Sequence, residues 1–131
     1  MIFIAQQTQA GSRTGIRDIA KGIDSPEHFI AKILQDLSRK GLLQSAKGPN
    51  GGFYLDEDSM KQSLADIVRV VDGDKIFQGC GLGLKQCSEA HPCPIHHDFK
   101  KVRKGLQQML EKAKVGTFTE ALENSMAFLR Q

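Results

Sequence analysis

Three cysteines and one histidine stand close together in the chain as Cys80-x6-Cys87-x5-Cys93-x2-His96. Thiolates are soft donors for iron and zinc and imidazole suits both, so these four side chains can complete a four-coordinate metal shell. Gly79, Gly81 and Gly83 give the chain between them freedom to wrap around such a centre. Pro94 is read as the start of a long helix, which puts Cys93 at the positive end of that helix, where a thiolate is stabilised, and His96 in its first turn. His91 is an alternative fourth donor, stiffened by Pro92, whereas His97 points about 100° away from His96 around the helix. An odd number of cysteines cannot pair off internally, so metal binding or thiol redox chemistry is expected in place of a structural disulfide. An iron centre, a zinc centre and a metal-free thiol sensor all remain open on this pattern. A thiol oxidoreductase would need a Cys-x-x-Cys that the chain lacks, and there is no nucleophile–base pair or phosphate loop, so no enzyme activity is expected.

The rest of the chain must position that loop. Its 131 residues suffice for one domain with a core, and 40% hydrophobic with 25% charged residues excludes a wholly disordered chain. No apolar run approaches the roughly 20 residues of a membrane span, and the opening five residues lack the features of a secretory signal. A soluble, cytoplasmic protein is expected. Residues 1–55 carry seven Lys/Arg against four acids and residues 56–79 six acids against three bases, while further bases bunch at Lys100, Lys101, Arg103 and Lys104. A basic N-terminal half permits a polyanion partner without demanding one, since a charge run is most often a solvated face.

Periodicity supplies the elements. Residues 1–9 read as the tail of a helix ending near Gly11 and Ser12. Thr14 is read as the N-cap of a short helix with Ile16, Ile19, Ala20 and Ile23 on one face and Gly22 at its end. After Asp24-Ser25, Pro26 takes the first helical position of a second helix and Glu27 suits its positive start. Phe29, Ile30, Ile33, Leu34 and Leu37 form its buried stripe, Gly41 closes it, and His28, Ala31, Lys32 and Gln35 face outward. Two extended runs flank Gly48-Pro49-Asn50-Gly51-Gly52, a hairpin signal. Helix, turn, helix and hairpin make a winged helix. Residues 56–62 read as an acidic connector, and Ser63 with Asp66 as a capping-box start for a helix carrying Leu64, Ile67, Val68 and Val71, ended by Gly73. In the long helix Ile95, Phe99, Val102, Leu106, Met109 and Ala113 recur at alternating spacings of four and three, a heptad seam that a second copy of the chain would bury, although a helix folding back on its own domain shows much the same stripe. Thr117 to Glu120 cap a last helix carrying Leu122, Met126 and Leu129. The expected fold is mainly α with a small β-hairpin: a winged helix-turn-helix over residues 1–62, then dimerisation helices over residues 63–131 with a cysteine sensor loop at 79–93.

With the elements in this order, the chain resembles the Rrf family of bacterial winged-helix repressors over nearly its whole length. The most specific pieces are residues 41–55 (GLLQSAKGPNGGFYL) and 63–73 (SLADIVRVVDG), followed in family order by the cysteine loop and the long helix. The resemblance implies a homodimeric DNA-binding transcription regulator, mostly a repressor, that sets its second short helix in the major groove of a pseudo-palindromic double-stranded operator and its wing in the adjacent minor groove. On that basis Pro26, His28 and Lys32 of the recognition helix and Lys47, Gly48, Asn50 and Gly51 of the wing are the DNA-binding residues. A cation suits the negative minor groove and glycines let backbone approach phosphates closely. His28 alone is equally accounted for as a solvated surface histidine. Ala31 stands where some cluster-binding members carry a discriminating glutamate, so no known operator carries over. The resemblance also implies an iron–sulfur cluster, of the 2Fe-2S type, with Cys80, Cys87, Cys93 and His96 as ligands, through which redox state, iron supply or nitric oxide modulates DNA affinity. The cysteine spacing is slightly wider here than in those members. Zinc in the same Cys3His set, or no metal, are the alternatives. Family members carry about one more helical segment upstream, so the N-terminal helix reads as truncated.

Overall fold

The computed structural model describes residues 1–126, 128 and 129. It opens with a helix-turn-helix and a hairpin: α1 (Ile2–Gln9), α2 (Ile16–Gly22), α3 (Glu27–Arg39), β1 (Gln44–Ala46) and β2 (Gly52–Tyr54). The strands are antiparallel, with Ser45 opposite Phe53. Phe53 also exchanges two backbone hydrogen bonds with Thr14, at 3.0 and 2.8 Å. A Cβ at Gly52 would stand 2.9 Å from the Thr14 backbone, and the local φ is +138°, so this close approach leaves the position to glycine. Because Thr14 is committed to that bridge, it is not the cap expected of it; the N-cap of α2 is Gly15.

Ile4 and Ala5 of α1, Ile19 of α2, Leu34 and Leu37 of α3, and Leu42, Leu43 and Leu55 around the hairpin are buried in one core. Each such large side chain contributes roughly 1.5–3 kcal/mol by leaving water. Thr8 locks α1 to the strand end: its hydroxyl donates to Ile4 O at 2.8 Å and accepts from Leu55 N at 3.1 Å. Two details of α3 differ from the sequence expectation. Pro26 is the N-cap, with φ −60° and ψ 134°, so the helix begins one residue later. Phe29 is 57% exposed, because the buried stripe is centred on Ile30, Leu34 and Leu37 and leaves residue 29 at its border.

The expected acidic connector contains a single helical turn, α4 (Glu57–Met60). Asp56 caps it, accepting from Ser59 N at 2.8 Å, and that hydrogen bond holds the Asp56 carboxyl below its usual range. Next come α5 (Leu64–Asp72), α6 (Lys75–Gln78), α7 (His96–Lys112), a 3-10 turn (Val115–Thr117) and α8 (Phe118–Glu123). The capping box of α5 forms as read: Ser63 Oγ accepts from Asp66 N at 3.0 Å and Asp66 Oδ2 accepts from Ser63 N at 3.2 Å. Helix α7 packs on α5 and α6. At its far end Leu64 N donates to Ala113 O at 2.8 Å and Val115 N to Gln62 O at 3.0 Å. Val115 and Thr119 are buried, and their elements pack against α1.

Helix α7 starts at His96 with Ile95 as N-cap, so Pro94 lies outside it: the Cys93 carbonyl accepts from His96 N at 3.0 Å and forms a turn first. The heptad seam divides into two stripes. Phe99, Leu106 and Ala113 are half-buried within the chain, whereas Ile95, Val102 and Met109 are exposed, Val102 by 66%. The last helix ends at Glu123, short of Met126 and Leu129, because Ser125 turns the chain with φ +55°.

Candidate metal centre and nucleic-acid interface

The cysteine loop folds between α6 and the start of α7 and encloses a cleft of about 200 Å³ lined by Cys80, Cys87, Cys93, His96, Phe99 and Arg103 among others. The three sulfur atoms lie within 4.8 Å of one another. Cys80 Sγ is 3.7 Å from Cys93 Sγ, and Cys87 Sγ is 3.2 Å from His96 Nδ1. A tetrahedral ion with metal–sulfur bonds of about 2.3 Å needs sulfurs about 3.8 Å apart, so the Cys80–Cys93 pair already spans one edge of such a site. The donor set therefore fits iron or zinc in both chemistry and spacing. The His96 and His97 rings meet edge to face with their centroids 5.1 Å apart, and His91 is exposed.

Local electrostatics make one thiol ready to ionise. The backbone amides of Leu84 and Leu82 hold the Cys80 thiol down to about 7, and Leu82 N lies 3.4 Å from its sulfur. The Cys93 amide pulls the Cys87 thiol down, but desolvation and the neighbouring Cys93 and Cys80 thiols outweigh it, so that thiol is pushed up.

Several residues that hold this loop carry no signal in the sequence. Arg103 Nη1 donates to Gly79 O at 2.5 Å. Gly81 rests on the Phe99 ring, where a Cβ would meet ring carbons at 2.8 Å. Arg69 in α5 pairs with Asp66, Asp74 and Glu111 at 3.6, 3.2 and 3.2 Å and lies over Phe77 of α6, which ties α5, α6 and α7 together. Glu89 pairs with Lys100, and Glu89 Oε1 stands 3.4 Å from His96 Nε2. These contacts, Lys100 first, hold the Glu89 carboxyl below its usual range.

Pro26, His28 and Lys32 occupy exposed positions at the start of α3. Lys47, Gly48 and Asn50 are exposed at the hairpin bend. Gly51 closes that bend by donating to Gly48 O at 2.9 Å, and a Cβ there would meet Ala46 O at 2.2 Å. Arg13, absent from the sequence-based set, lies 5.0 Å over the Tyr54 ring beside the hairpin.

A helix-turn-helix followed by a hairpin, joined to a long helix through a cysteine loop, defines a winged-helix regulator. The chain belongs to the Rrf2 family, iron-dependent transcriptional regulators, whose profile matches residues 1–121. It is 32% identical over 98 residues to an HTH-type transcriptional regulator of Aquifex aeolicus, covering 73% of this chain and 68% of that one. It is 30% identical over 73 residues to the regulator CymR of Bacillus subtilis, covering 56% and 52%. The chain thus spans between about half and two thirds of the length of these curated relatives. Its fold matches that of CymR, the global cysteine regulator of B. subtilis, at a TM-score of 0.72 with 21% identity over 91% of this chain and 86% of that one. IscR of T. potens matches at 0.69 with 22% identity over 96% and 83%. The relatives are transcriptional regulators, and this protein is a regulator of that family, not an enzyme. Among the described residues no helix is long and apolar enough to cross a membrane.

Proposed function

We propose that this Rrf2 regulator binds a pseudo-palindromic operator as a homodimer in the cytoplasm, mostly as a repressor, and that a 2Fe-2S cluster on Cys80, Cys87, Cys93 and His96 modulates that binding. The observation that carries the reading is the convergence of four metal donors from separate parts of a loop, with Cys80 against Cys93 at 3.7 Å and Cys87 against His96 at 3.2 Å. When bound, the cluster supplies a site sensitive to redox state and nitric oxide.

The chain's own residues do the rest. His96 is the first residue of α7 and Cys93 lies in the turn that leads into it, so ligation of both fixes where that helix starts. Ile95, Val102 and Met109 form the exposed apolar stripe along which a second copy packs. The start of α7 then sets the separation of the two α3 helices. His28 and Lys32 of α3 meet the major groove, and Lys47 with the hairpin glycines meets the minor groove. A centre that favours one separation shifts DNA affinity by its differential stabilisation of that state, typically ~1–3 kcal/mol, or about 5- to 150-fold.

The test is anaerobic reconstitution with iron and sulfide, followed by operator titration of the holo and apo forms. A brown protein whose two forms differ in affinity is the expected result. Stoichiometric cluster with identical affinities overturns the switch. A second reading, one tetrahedral zinc in the same donor set, is favoured by the compactness of the sulfurs, all within 4.8 Å. A colourless protein that binds zinc tightly and takes up no iron supports it over the cluster.

A further inference from the structure

His96 offers one ring nitrogen to the donor set and turns the other into the protein. Nδ1 lies on the cysteine side, 3.2 Å from Cys87 Sγ. A ring that gives Nδ1 to a metal carries its proton on Nε2, and metal-bound histidines almost always donate that proton to an outer partner. Here Nε2 is fully buried and has no hydrogen-bond partner of good geometry, which would leave a polar group unsatisfied. The group facing it is Glu89 Oε1, at 3.4 Å, a slight adjustment from a hydrogen bond. Glu89 is in turn paired to Lys100, one helical turn beyond His96 on α7. The carboxylate is thereby anchored to the same helix end as the ring it faces.

We propose that Glu89 is a positioning residue for the metal centre: by accepting from His96 Nε2 it fixes the tautomer and ring orientation that present Nδ1 to the metal, and Lys100 holds it in place. The proposal rests on His96 being a ligand. Glu89, His96 and His97 also bring donor atoms within 4.8 Å of one another, so direct ligation by Glu89 is the alternative that a test must separate.

Cobalt(II) alone serves as the probe, added anaerobically to the full chain and followed by its thiolate-to-metal charge-transfer absorption. Glu89→Ala is expected to weaken cobalt binding about 10- to 100-fold, the usual effect of removing an outer-shell partner. Glu89→Gln, whose amide oxygen still accepts, is expected to recover most of that affinity. In a His96→Ala background Glu89→Ala is expected to change nothing further. Wild-type affinity in Glu89→Ala overturns the positioning role. So does a further weakening in the double variant, which would mark a general structural effect, and so does a Gln variant as weak as Ala, which would make Glu89 a ligand. A wild-type chain that binds no cobalt, or a His96→Ala variant that binds it as wild type does, overturns the ligand set and this proposal with it. Weakened His96→Ala beside unchanged Glu89→Ala overturns the positioning role alone.

Discussion

The guanidinium of Arg103 donates from Nη1 to the carbonyl oxygen of Gly79 at 2.5 Å, and Gly79 immediately precedes Cys80. One turn earlier on α7, the Phe99 ring packs against Gly81 on the other side of that cysteine. Both flanks of Cys80 are thus fastened to the long helix that carries His96. Arg103→Ala should therefore leave the cluster in place yet shrink the holo-to-apo difference in operator affinity towards one. Parallel titrations of the wild type and the variant measure it, and an undiminished difference would refute this route of coupling.

Val102 and Met109 are 66% and 58% exposed, whereas Leu106 is half-buried inside the chain. Val102→Glu with Met109→Glu should yield a folded monomer in sedimentation, with far-UV circular dichroism unchanged. Leu106→Glu should instead lose helical signal. Dimers that survive the double substitution would place the interface elsewhere.

Lys47 stands at the hairpin bend and Lys112 at the last turn of α7. Lys47→Ala should weaken operator binding and flatten the dependence of log affinity on log salt by roughly 0.9 for each protomer's lost phosphate contact, about 1.8 for the dimer. Lys112→Ala should leave the slope unchanged. Equal slopes for the two variants would remove the hairpin from the DNA interface.

Cys80 is held at about 7 and Cys87 is pushed up. The thiolate is the reactive form, so alkylation rises with pH through each thiol's own value. In the apo protein, iodoacetamide should modify Cys80 first, at half its maximal rate near pH 7, and Cys87 only at clearly more alkaline pH. Metal ligands must shed their protons too, so apparent zinc affinity should climb across and above that same pH. Peptide mass spectrometry across a pH series gives the order directly, and simultaneous modification of the two thiols would contradict it.

Ser63 is buried and supplies one half of the α5 capping box. Ser63→Ala should cost about 1 kcal/mol in urea denaturation, since the Asp66 amide loses its acceptor. A midpoint that does not move would mean that α5 is held by packing alone.

What could be read from the sequence was what is encoded within a turn or two. The Ser63–Asp66 capping box, the α3 stripe apart from Phe29 and the turn at Gly51 depend on near neighbours, and each forms as its spacing indicates. Thr14 misled because its backbone is claimed by Phe53, 39 positions away. The heptad seam was visible as a pattern, but its division into an internal and an exposed stripe depends on where α5 and α6 meet α7. The four donors could be named from the sequence, whereas Glu89 and Arg103 could not be associated with them: one reaches His96 across the loop and the other grips a backbone carbonyl, which no residue type announces.

The two backbone hydrogen bonds from Leu64 to Ala113 and from Val115 to Gln62 have a topological consequence. The chain between residues 63 and 114, the cysteine loop included, leaves and re-enters the winged-helix half at this neck, and α5 packs back on α3. A protease that nicks the exposed run at residues 82–86 would leave two fragments still joined at that neck, with Val115 and Thr119 still buried beside α1. Truncating the chain after Gln62 would instead remove Val115 from the core it shares with Ile4 and Ala5, so the winged helix tolerates a broken loop far better than a missing one.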